Sequence, residues 1–148
     1  MMTIDRATEA DAETISRLLG TIEAYYGGED RPGDPGQVRA ALFGERPVAT
    51  VLLAREGNEV LGMASFTYLW PASGADTSLY LKELFVHESA RRRGVALALM
   101  EALRQEATAA GCSRVEWTAD RDNPPALAFY ESLGAKEREG KVFYRSEP

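Results

Sequence analysis

The feature that most limits how this chain can fold is a change of hydrophobic period at Gly94. Ahead of it, "SLYLKELFVHE" (78–88) has the apolar and aromatic density of a strand. Behind it, Ala96, Leu99, Met100, Leu103, Ala107 and Ala110 recur at helical spacing, with Glu101, Arg104, Gln105 and Thr108 on the opposite side. That pattern is a surface helix laid on a sheet. Gly111 stops the helix in the left-handed position, and "SRVEWTA" (113–119) returns to strand character. A strand, a helix and a strand in that order make a crossover, so a mixed α/β sheet is expected.

The flanks fill in the order. "MTIDRA" alternates as a strand, and Thr8 with Asp11 opens a helix through Leu18 and Leu19 toward Tyr26. "GGEDRPGDPG" (27–36) is a loop, with Asp34 and Pro35 as the cap and first turn of a short second helix through Leu42. "VATVLLARE" and "EVLGMASFTYLW", joined by Gly57-Asn58, make a hairpin that continues into the 78–88 strand as a meander. "DNPPALAFYESLGA" (122–135) reads as a helix capped by Asn123, entered through Pro124 and stopped by Gly134, and "KVFYRSE" as a last strand. The order βααβββαβαβ fits one domain over residues 1–148, with 45% hydrophobic residues to build its core.

Composition narrows the function classes. No apolar run approaches the roughly 20 residues that span a bilayer, and the N-terminus lacks signal-peptide character, so a cytoplasmic protein with no membrane partner is expected. A single cysteine, Cys112, gives no disulfide and no zinc cluster, and the lone His87 is read as structural; no metal is expected. The formal net charge of −6 speaks against a nucleic-acid partner and for a cationic one.

Against that acidity, Arg91, Arg92 and Arg93 stand together before the long helix, at the end where cations are disfavoured. Two readings are open: a solvated basic turn, or a site for a polyanion. Free N–H groups, the helix dipole, Gly94 for close approach and the small Ala96 would suit a pyrophosphate. A Walker loop would need Lys followed by Ser or Thr, and a dinucleotide fingerprint three spaced glycines; neither is present.

With these residues in view the sequence resembles the GNAT superfamily of acyl-CoA dependent N-acyltransferases. The likeness rests on Arg91-x-x-Gly94-x-Ala96 and on "N-x-x-A-x-x-F-Y-x-x-x-G", here Asn123, Ala126, Phe129, Tyr130 and Gly134. The nearest flavour is that of diamine, polyamine and thialysine acetyltransferases. Two departures stand out: Lys82-Glu83 where those relatives carry two acidic residues, and Asp122 where they carry Trp. The resemblance implies a mixed, mostly antiparallel sheet of six to seven strands with about four helices. It also implies acetyl-CoA as co-substrate, held by the backbone of Leu84, Phe85 and Val86, by Arg91, Arg92, Arg93, Gly94, Val95 and Ala96, and by Asn123, Ala126 and Tyr130.

Acetyl transfer to an amine needs a neutral amine, a stabilised oxyanion and a protonated leaving thiolate. Glu83 is the candidate proton acceptor, or else only a contact for the substrate ammonium. Tyr130 is the acid that the resemblance implies for the thiolate; the alternative is that it belongs to the apolar stripe of its helix. The oxyanion donor implied by the family is a backbone N–H of Leu84 to Val86, at a bulge. For the acceptor, Glu23, Tyr25, Tyr26, Glu29 and Asp30 offer charge and aromatic faces, or are simply solvated, and Tyr68 and Trp70 line the same cleft or join the core. The expected activity is N-acetylation of a small cationic amine: a polyamine, a lysine-like amino acid or an aminated antibiotic. The alternatives are a protein lysine or N-terminus as acceptor, and a non-catalytic acyl-CoA binding module. The last strand offers an edge for a homodimer.

Overall fold

The computed structural model describes residues 1–148, which divide into two compact units, Met1–Trp117 and Thr118–Pro148. The first unit holds strands β1 (Met2–Arg6), β2 (Thr50–Glu56), β3 (Glu59–Leu69), β4 (Ser78–Val86) and β5 (Arg114–Glu116). It also holds helices α1 (Ala12–Tyr25), α2 (Pro35–Phe43) and α3 (Val95–Ala109). The strands lie side by side in sequence order. The first four are antiparallel, and β5, reached by the α3 crossover, is parallel to β4. No helix is long and apolar enough to cross a membrane.

β2 is buried at four consecutive residues, Val51 to Ala54, as a central strand covered on both faces must be. Its odd positions, Val51 and Leu53, join Met63 and Phe85 under Ala12, Ile15, Leu18 and Ile22 of α1 and Val38 of α2. By strand alternation Leu52, Ala54, Ala64 and Phe66 point to the other face, where α3 lays down Leu99, Met100, Leu103 and Ala107. An ion pair from Arg6 to Glu106 ties the outermost strand to α3.

One irregularity in β4 matters for the site. Ser65 of β3 faces Glu83 and Phe66 faces Leu81, so Lys82 is an extra residue, a β-bulge. Leu79 and Leu81 therefore share the α3 face with Phe66, while Glu83 and Phe85 share the α1 face with Ser65 and Met63. A bulge bends its strand, and the ladder with β5 covers only Ser78, Leu79 and Tyr80, whereas the ladder with β3 runs on to Val86.

The second unit contains α4 (Pro124–Ser132). The side chain of Asn123 caps it by accepting the N–H of Ala126, Pro124 sits in its first turn, and Gly134 follows with a φ of 80°. The expected sixth strand at 141–147 is not formed, so the sheet has five strands and not six to seven. A strand exists only through its ladder. This segment has the apolar alternation but no partner, and Val142, Phe143 and Tyr144 are 74%, 69% and 86% exposed. The homodimer expected from that edge loses the element on which it stood.

Candidate active site

The turn from β4 to α3 has a backbone form that suits an anion. A short 3-10 turn, Glu88–Ala90, leads into Arg91, after which Arg92 (φ 63°) and Gly94 (φ 77°) both take left-handed backbone. For a non-glycine residue that conformation costs about 1–2 kcal/mol, and such alternation turns successive N–H groups toward one concavity that suits an anion. No neighbouring atom lies within 4 Å of where a Cβ on Gly94 would sit, so its requirement for glycine is the backbone angle rather than space. The first α3 bond runs from Ala98 N–H to Gly94 O, leaving the amides of Val95, Ala96 and Leu97 without an intrahelical acceptor. The Val95 side chain is buried in the core, so what it offers here is its N–H.

The three arginines have different surroundings. Arg93 pairs with Glu56 at 3.0 Å. Arg91 turns back: its Nε donates to the carbonyl of Val86 at 3.2 Å, and its guanidinium carbon lies 5.0 Å from the centroid of the Tyr25 ring. Arg92 projects into solvent with no ion pair, and its charge is the one most open to an incoming polyanion.

Beside the loop lies a cleft of about 680 Å³, lined by Thr21, Ala24 and Tyr25 of α1 and by Phe85, His87, Glu88, Ser89 and Arg91. Phe85 meets Tyr25 edge-on at 6.1 Å and His87 at 5.5 Å. Leu84 and Val86 lie past the end of the β4–β5 ladder, at the same end of the strand. Glu83 is half-buried on the α1 face, opposite Ser65.

The residues expected to face the acceptor lie at the end of α1 and after it. Glu23 and Tyr26 are exposed at its C-terminal end, and Tyr26 meets Tyr25 edge-on at 5.0 Å. The loop beyond folds back along the helix. At Gly20 a Cβ would come within 2.9 Å of the backbone of Arg31 and Pro32, so only glycine lets the loop pass there. Gly33 is held by bonds in both directions with Ser16: its N–H donates to the Ser16 carbonyl, and its carbonyl accepts from the Ser16 hydroxyl. Glu29 pairs with Arg31 at 2.6 Å, which leaves Glu23 and Asp30 as the less encumbered carboxylates.

Tyr68 falls elsewhere. It faces Leu79 on the α3 side of the sheet, where burial raises its phenol pKa, with the charges of Glu106 and Cys112 adding to the effect. It is therefore apart from Tyr25 and Tyr26. Trp70 is exposed and donates its indole N–H to the carbonyl of Ala75. In the second unit Tyr130 is half-buried on α4, its ring tilted against Phe129 at 5.4 Å, while Asn123 and Ala126 are joined by the cap bond.

Thr21, Phe85 as a cleft wall, His87, Glu88 and Ser89 were not singled out as binding residues by sequence reasoning. Thr21, Ala24 and Tyr25 at spacings of three and four form one helical face, the signal in the sequence that could have marked this wall.

The acetyltransferase (GNAT) family model matches residues 15–135. The chain belongs to that family. It is an acetyl-CoA-dependent acetyltransferase. It is 30% identical over 147 residues to the uncharacterized N-acetyltransferase YhfO of Bacillus subtilis (strain 168), covering 97% of this chain and 95% of that protein. It is 34% identical over 77 residues to the L-ornithine N5-acetyltransferase NATA1 of Arabidopsis thaliana, a match over 52% of this chain but only 34% of the plant protein. Among solved structures, an integron cassette protein from the mobile metagenome of V. cholerae superposes with a TM-score of 0.86 at 34% identity, over 99% of this chain and 93% of that one.

Proposed function

We propose that the chain transfers the acetyl group of acetyl-CoA to a primary amine of a small cationic molecule by direct attack on the thioester. The observation that carries this reading is the parting of β4 from β5 after Tyr80, at the strand end that leads into the left-handed turn at Arg92 and Gly94. Strand backbone beyond the ladder suits an amide-bearing pantetheine arm, and the N–H groups at the start of α3 suit its pyrophosphate. Because the family match spans 15–135 and so crosses residue 117, we read both units as one acetyltransferase domain.

The chemistry follows from the groups available. An alkylamine of pKa about 10 is roughly a thousandfold depleted in its free base at neutral pH, so a proton acceptor helps. Glu83 takes that role through water. A backbone N–H of Leu84 to Val86 stabilises the oxyanion, an interaction of about 3 kcal/mol in comparable sites. Tyr130 gives its proton to the departing thiolate, whose acidity is near that of an ordinary thiol, about 8.5. Glu23 and Tyr26 receive the cation of the acceptor, by charge and by a ring face. The plant relative's name specifies ornithine, a small cationic amine, which supports this acceptor class.

The experiment is release of free thiol from acetyl-CoA with a panel of amines: ornithine, lysine, thialysine, spermidine, an aminoglycoside and a lysine peptide. Saturable release with a small amine, lost in Tyr130→Phe, supports the whole reading. Release with the peptide alone removes the small-amine assignment, and release undiminished in Tyr130→Phe removes Tyr130 from the mechanism.

A further inference from the structure

Three adjacent arginines suggest three ligands for a phosphate, but the side chain of the first is turned back onto the fold, toward Val86 and Tyr25. Arg91 joins three elements at once. Its Nε holds the carbonyl of Val86, the last residue of β4; its guanidinium lies over Tyr25, the last residue of α1; and its own backbone opens the turn that makes Arg92 and Gly94 left-handed. Its N–H is itself bonded to the carbonyl of Glu88. Tyr25 is in turn braced from two sides, by Phe85 and by Tyr26, and both Tyr25 and Arg91 line the cleft.

A guanidinium over a ring at this distance is attracted by the ring's quadrupole, and a neutral aliphatic side chain offers no such attraction. Without the ring, the Arg91 side chain would be held by the Val86 carbonyl alone, and the strained turn that follows it would have fewer restraints. We propose that Tyr25 is a positioning residue for acyl-CoA binding: by holding Arg91 it fixes the anion loop to the end of β4, so that the pyrophosphate amides are set before the coenzyme arrives. This deepens the acetyl-CoA reading given above and rests on it.

The test compares Tyr25→Leu with Tyr25→Phe, since phenylalanine keeps a ring face for the cation. Dissociation constants would be measured for coenzyme A and for pantetheine, which lacks the pyrophosphate, together with kcat and KM for acetyl-CoA. With Tyr25 48% exposed, both variants should fold, and a melting curve checks this. The expected result is an approximately tenfold weaker grip on coenzyme A in Tyr25→Leu, a KM effect with kcat little changed, near-normal behaviour in Tyr25→Phe, and unchanged pantetheine affinity. Adding Tyr25→Leu to Arg91→Gln should cost no further affinity. Equal losses for coenzyme A and pantetheine, equal effects of Leu and Phe, full additivity with Arg91→Gln, or no effect would each overturn the proposal. Wild-type protein that binds no coenzyme A at all would overturn the acetyl-CoA reading itself, and this proposal with it.

Discussion

The β4–α3 turn and the C-terminal end of α1 are built in different ways. On the proposed coenzyme side the features are backbone: the ladder that ends at Tyr80, the left-handed Arg92 and Gly94, and the amides of Val95 to Leu97. On the proposed acceptor side the backbone only carries a display of side chains. The loop after α1 is anchored by Gly20 and the Ser16–Gly33 bonds, but Glu23 and Tyr26 stand exposed at the helix end before it. A reaction class written in backbone geometry tolerates few changes. A substrate choice written in exposed side chains can change with one of them.

Substitutions should separate the two sides, and the largest effect belongs to the chemistry that both serve. Tyr130→Phe should lower kcat by about 100-fold or more, as loss of an acid–base group commonly does, with acetyl-CoA affinity held within a factor of about 3. A steady-state kcat near wild type would show that another donor protonates the thiolate. Next, Glu83→Gln should lower kcat/KM for the amine by roughly 10- to 100-fold near neutral pH, with the loss shrinking at alkaline pH as the amine deprotonates unaided. A loss that is the same at every pH would make Glu83 a binding contact and not a proton acceptor.

Gly94→Val tests the backbone side alone. A β-branched residue at a φ of 77° carries a penalty of about 1–2 kcal/mol, so coenzyme A should bind roughly 5- to 30-fold more weakly while the amine KM stays put. Glu23→Gln tests the other side. It should raise the amine KM by about 2- to 5-fold, the scale of one exposed charge contact, and leave coenzyme A binding unchanged. If both variants moved both affinities, the division between the two sides would fail.

The smallest effect lies away from the site, in the support of α1. Burial pushes Asp11 up, yet the Thr8 N–H and the Arg55 guanidinium, at 2.8 and 2.9 Å, leave its pKa below the ordinary value. A carboxylate depressed on folding contributes stability that is present above its unfolded pKa and lost as pH falls through the folded one. Wild-type protein should therefore lose stability below about pH 4, and Asp11→Asn should be less stable at pH 7 with a flatter acid limb in thermal melts. An unchanged acid limb would mean that Asp11 is not the group responsible.

Much of this was legible in the sequence where the physics is local. The crossover around α3, the caps at Asp34 and Asn123, and the turn at Gly57 depend on neighbours within a few positions. What was not legible depends on distant partners. Simple alternation along "SLYLKELFV" would put Leu79, Leu81, Glu83 and Phe85 on one face; only the register against β3 reveals that Lys82 is extra and that Glu83 turns toward α1. In the same way no spacing shows that Arg91 reaches back to Tyr25, or that Tyr68 belongs with Glu106. "KVFYRSE" has the pattern of a strand, but a strand also needs a neighbour's free edge, which a one-dimensional pattern does not record.

The central claim is that backbone amides at the end of β4 and the start of α3 hold acetyl-CoA. Amide hydrogen exchange with and without coenzyme A tests it most directly. The account predicts slowed exchange at Leu84 to Val86 and at Arg92 to Leu97, with residues 26–34 little changed until an amine is added. Slowed exchange confined to other segments, with these two stretches untouched, would contradict it.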